Sequence, residues 1–195
     1  MPRSSILGLA LAATALILPG AALAHPGHIE ASGFTHGFAH PIGGLDHVLA
    51  MVAVGLFAAG LGGRALWAVP LTFVAVMALG GALGVQGVAL PFVETGIALS
   101  VVVLGTLIAL RVQWPVAAAM ALVGLFAIFH GHAHGAEMPL DASGAAYAAG
   151  FMIATALLHM VGIAIGLAAG SRQGVARLGG AAVAAAGVAL LVGVI

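Results

Sequence analysis

What most restricts the fold of this chain is how few charges interrupt it. Five Arg and five Asp or Glu residues are spread over 195 positions, with no lysine at all. Between them lie apolar runs of roughly 20 residues, the length of helix that crosses a hydrocarbon core. At 63% hydrophobic and 5% charged residues, with a mean hydropathy of +1.25, the chain has too little polar surface to dress a soluble globule. It reads as an all-α polytopic membrane protein.

The first residues read as an address. Arg3 supplies a basic start, Ile6 to Leu18 an apolar stretch, Pro19 and Gly20 a break, and Ala22-Leu23-Ala24 the small-x-small pattern of a cleavage site. We expect residues 1–24 to be a cleavable signal peptide and 25–195 a single transmembrane domain. The alternative is an uncleaved extra helix, but the run is short for a span. Beyond it, breaks carrying Gly, Pro or Arg divide the sequence into six transmembrane helices, at about 46–62, 65–84, 91–110, 115–132, 144–169 and 178–195. Arg64, Arg111, Arg172 and Arg177 then all fall on one side, which the positive-inside rule makes the cytoplasm. Both termini of the cleaved chain would lie on the opposite, outer side of the membrane.

Several function classes drop out. Five scattered arginines make no phosphate-tracking stripe, so nucleic acid is no partner. Without cysteine there is no disulfide, no thiolate site and no cysteine nucleophile, and any metal has to be held by nitrogen and oxygen. No phosphate-binding loop of the Walker type occurs.

What the chain does contain is histidine, nine residues of it, eight of which map to the side opposite the arginines. Glu30, Asp46, Glu94, Glu137 and Asp141 map there too. In the first cluster His40 is followed after five residues by Asp46 and His47. Pro41, Gly43 and Gly44 discourage a regular helix through the spacer, so a turn would fold His40 back over the helix start. Two imidazoles and a carboxylate suit a divalent first-row cation, with the carboxylate either binding it or orienting an imidazole. The bland alternative is that Asp46 only caps the helix. His36, and more weakly His25 and His28, lie upstream.

The second cluster, Phe129-His130-Gly131-His132-Ala133-His134-Gly135-Ala136-Glu137, closes the fourth helix. If the helix persists, His130 and His134 share a face, Glu137 follows three residues on, and His132 points away. His132 is nevertheless kept among the metal candidates, since three histidines within five residues and an acid point to a cation site. Glu94, near the start of the third helix, and His159, past the middle of the fifth, are ionisable groups inside spans and so functional candidates. We expect Glu94 to be a station below the mouth. For His159 the sequence leaves open a plain hydrogen bond to a neighbouring carbonyl or Thr155. The 30 glycines read as close-packing residues between helices, and the methionines as gap fillers.

These two motifs resemble the HupE/UreJ family, small bacterial membrane permeases associated with nickel supply to hydrogenase or urease. His40, Asp46 and His47 match the family's His-x5-Asp-His element, and residues 129–137 its Phe-His-Gly-x-Ala-His-Gly-x-Glu element. The resemblance spans the chain from the signal through all helices. It implies uptake of divalent nickel or cobalt, with the ion as cargo and no prosthetic group. The expected metal set is His36, His40, Asp46, His47, Glu94, His130, His132, His134 and Glu137. The other readings are a histidine-box metalloenzyme, which the lack of any His-His pair disfavours, and a metal-binding accessory without transport. Membrane lipid and the metal ion are the expected partners; self-association is left open.

Overall fold

The computed structural model describes residues 32–138, 143–170 and 172–195. The signal-like segment, His25, His28, Glu30 and Asp141 lie outside these described residues. Among them the chain forms seven helices and no strand: α1 Ser32–Gly43, α2 Leu45–Leu61, α3 Ala65–Val85, α4 Val93–Leu110, α5 Val116–Ala136, α6 Ser143–Ala169 and α7 Gln173–Leu191. Five of these, α3 to α7, are long and apolar enough to cross a membrane.

The helix ends follow local chemistry. Gly62, Gly87 and Gly170 turn the chain at φ of +71°, +68° and +53° just past α2, α3 and α6, a conformation glycine adopts without a Cβ clash. Pro115 precedes α5, where its missing N–H costs nothing. Two boundaries differ from the sequence reading. α5 runs through His132 to Ala136, since glycine and histidine weaken a helix without ending it. α7 begins at Gln173 and takes in Arg177, whose exposed side chain does not interrupt the backbone ladder.

The region before α2 departs furthest from expectation. The spacer holding Pro41 and Gly43 is helical, and the break comes one residue later at Gly44, with extended backbone. There the chain bends by 81° between α1 and α2, and only together do these two helices match the length and apolarity of a span. A side chain at position 44 would collide with the Asp46 carboxylate. Pro41 lies inside α1 and has no N–H to give the Gly37 carbonyl, a loss of one backbone bond in the last turn.

Four helix pairs carry most of the packing: α3 on α5, α4 on α7, α2 on α6 and α1 on α6. In each seam glycine on one helix meets backbone of the other. Gly131 and Gly135 of α5 face the backbone of Met77 and Gly81 on α3, while Gly80 and Gly84 of α3 face Ile128 and His132 on α5. Close approach of this kind replaces the hydrophobic drive that lipid does not supply, as the glycine content led us to expect. The interior between α2, α3, α4 and α5 is filled by Val54, Phe57, Val69, Phe73, Val101, Leu104 and Val123.

The hairpin arrangement gathers the arginine ends. Gln113, just after α4, donates from Nε2 to the Gly60 carbonyl at 3.2 Å, and Gly60, Arg111, Gly170 and Val175 border one cavity. Chain ends bearing Arg111 and Arg172 therefore meet at one face. The histidine-rich ends meet at the other.

Candidate metal site

Three elements build the site. The bend at Gly44 lays α1 on the first turns of α6, with Gly37 against the Tyr147 backbone and Gly150 against that of Phe34 and Phe38. This carries His40 back beside the start of α2, by a helix and a sharp corner rather than by the expected turn, and brings His36 to the same cavity. α5 reaches the same place from below because the glycine seam holds it against α3.

At the centre, His47 Nε2 faces two other rings. His130 Nδ1 is 3.1 Å away and His134 Nε2 is in direct contact with it. All three histidines are buried. Nitrogens bound to one divalent ion at about 2.1 Å each lie roughly 3 Å apart, the scale of this grouping. Above it, His40 Nε2 lies 3.4 Å from Glu137 Oε2, and ligand atoms of His40, His134 and Glu137 fall within 4.8 Å of one another. His134 belongs to both groups.

Hydrogen bonding fixes which nitrogens are open. The Ser100 hydroxyl donates its one proton to the Ile97 carbonyl at 2.6 Å, so toward His130 Nε2, at 3.0 Å, its oxygen acts as acceptor. His130 thus carries its proton on Nε2 and turns a lone pair at Nδ1 toward His47. Asp46 Oδ1, 3.3 Å from His47 Nδ1, likewise draws the His47 proton to Nδ1 and leaves Nε2 open. Lone pairs from separate helices facing one another repel unless a cation sits among them. Asp46 therefore orients a ligand, and its place in the first turn of α2 also suits the helix dipole.

Glu137 has the opposite placement. It closes the C-terminus of α5, where a carboxylate adds to the negative end of the dipole and costs stability unless a cation compensates. Its exposure and its position beside His40 put this charge at the entrance of an open cavity of about 510 Å³ bordered also by His36, Asp46, His47, Glu94 and His134.

The remaining candidates sort by position. Glu94 is exposed in the first turn of α4 and borders that cavity, so it stands at the mouth and not below it. The apolar run misled here, because the helix starts only at Val93, after the left-handed Phe92. His36 is exposed and packs edge-on against Tyr147 at 5.7 Å. His132 is not brought to the cluster; its Nε2 lies 2.6 Å from the Val88 carbonyl, tying α5 to the loop after α3.

Four residues at the site escaped the sequence reading. Ser100 is the acceptor just described. Phe151 packs at a tilt of 39° against the His134 ring, 4.2 Å between centroids, Tyr147 borders His36 and His40, and Phe73 lies 5.5 Å below His130. Tyr147 and Phe151 are one helical turn apart on α6, a spacing that would have flagged a shared face. Ser100 carried no signal beyond being polar in an apolar run. Ser100→Ala removes the acceptor and frees the His130 tautomer, so equilibrium nickel binding should weaken about tenfold, within the range for lost orienting partners; unchanged calorimetric affinity would contradict the tautomer assignment.

Fold and site together define a multi-pass membrane protein whose helices hold a cluster of imidazoles and carboxylates at one end of the bundle. The HupE / UreJ protein family model matches residues 11–190, and the chain belongs to that family. It is 52% identical over 181 residues to Protein HupE of Rhizobium leguminosarum bv. viciae, covering 92% of this chain and 94% of the relative. No solved structure matches. The family comprises transport and accessory proteins, so the chain is not an enzyme.

Proposed function

We propose that the protein is a permease of the bacterial inner membrane that takes divalent nickel, or cobalt, from the periplasm into the cytoplasm for nickel enzymes such as hydrogenase or urease. The observation that carries this reading is the meeting of α1, α2 and α5 at one end of the bundle, where His47, His130 and His134 turn nitrogens toward one point. The arginine-bearing ends lie at the other face, which the positive-inside rule assigns to the cytoplasm. In this reading residues 1–24 are removed as a signal peptide, α1 and α2 together make the first of six crossings, and both termini are periplasmic.

Capture begins at an acidic, histidine-lined cavity. Glu94, Glu137 and His36 attract the hydrated cation, His40 and Glu137 exchange first waters, and His134 passes it to His47 and His130. The membrane potential favours inward movement by about 2.3 kcal/mol per charge per 100 mV. Selectivity has to come from geometry, because imidazole and carboxylate sets follow the Irving–Williams order and would otherwise prefer copper.

Radioactive nickel accumulation in cells expressing wild type, His40→Ala or Glu137→Ala tests the reading. Both variants should fall well below wild type; equal uptake in all three removes the permease, and intact binding without uptake by the wild type favours an accessory role.

A further inference from the structure

We propose that His159 is a second binding station for the transported divalent cation, deep in the bundle on the way from the histidine cluster to the arginine face. The proposal rests on the permease reading above.

His159 is 1% exposed, and neither ring nitrogen has a hydrogen-bond partner among the described residues. The plain explanation, a bond to Thr155, does not hold, because the Thr155 hydroxyl is directed to Met77 Sδ at 4.0 Å. A buried polar group without a partner is costly, and an ionisable one inside a span is by default a candidate for function. A neutral imidazole keeps one ring lone pair, and with no hydrogen bond among the described residues to occupy it His159 can offer that lone pair to a cation passed from a neighbouring imidazole.

Its position is on the line from the mouth. Tyr147, Phe151, Thr155 and His159 follow at four-residue intervals on α6, all buried, so they form one inward stripe. Phe151 touches His134, and His159, eight residues further, lies about 12 Å deeper at 1.5 Å per residue. α2 gives the same depth: Gly55, eight residues beyond His47, packs on the His159 backbone. That is near the middle of a hydrocarbon core about 30 Å thick. The Phe73 ring bridges the gap, 5.5 Å from His130 and 5.2 Å from His159 between centroids. Phe73, itself fully buried, thus lies between the two imidazoles.

Full-length protein in liposomes under an imposed inside-negative potential tests this, with nickel binding at equilibrium measured on the same preparations. For His159→Leu we expect mouth affinity within about twofold of wild type and an initial uptake rate down at least about tenfold, a loss in rate rather than in half-saturating nickel concentration. His159→Cys supplies another metal-binding side chain and should recover much of the rate. Wild-type uptake by His159→Leu overturns the station. So does a His159→Cys variant as slow as His159→Leu with mouth binding intact, which would mark a proton-carrying or packing role, and so does loss of mouth binding in both variants. A wild type that binds nickel and moves none overturns the permease reading, and this station with it, whereas active wild type beside active His159→Leu sinks the station alone.

Discussion

His134→Ala should weaken equilibrium nickel binding by at least about 100-fold and bring uptake to background, the largest effect of any single side chain. Losing a partner that merely orients a ligand already costs about 10- to 100-fold in affinity, and His134 is placed as a ligand. It is the one residue shared by both groups, touching His47 inward and standing with His40 and Glu137 outward. Its removal therefore breaks capture and transfer together, while His40→Ala leaves the inner three-histidine group incomplete by none. Titration of purified protein by calorimetry reads the difference. Equal affinities for His134→Ala and wild type would mean that the buried cluster holds no metal.

The second large effect belongs to a residue with no side chain. A Cβ on Gly131 would overlap the Met77 carbonyl and the Gly81 nitrogen on α3. Backbone on both sides leaves no rotamer to relieve it, so Gly131→Ala has to separate α3 from α5. Overpacking ordinarily costs about 1–3 kcal/mol, and this case should reach or exceed the upper figure. Separation also displaces His130, the adjoining residue, from His47 and Ser100. We expect a lower melting temperature in detergent and lost nickel binding together. Gly179→Ala on α7 is the comparison: nothing lies near that position, and alanine is the better helix former by about 1 kcal/mol. A Gly131→Ala protein as stable as Gly179→Ala would refute the close-packed seam.

The two clusters were legible for a simple reason. In a chain with so few polar residues, nine histidines and five acids stand out, and helical periodicity alone puts His130 and His134 on one face with His132 turned away, as found. Helix α1 was not legible, because Pro and Gly in its last turn signal a break, and contact with α6 outweighs that local preference. Glu94 was misplaced in depth because hydropathy marks where apolar residues are and not where backbone hydrogen bonding begins.

Sequence by itself determined that the chain spans a membrane, which ends of its helices share a side, and which residue types wait there. These follow from composition and from the fixed pitch of the helix, both local. Tertiary structure decided which nitrogens face each other, that Ser100 and Asp46 set their proton positions, and that His159 is left without a partner. Those depend on how closely separate helices approach, a distance set by glycines meeting backbone across four seams, which no single segment encodes.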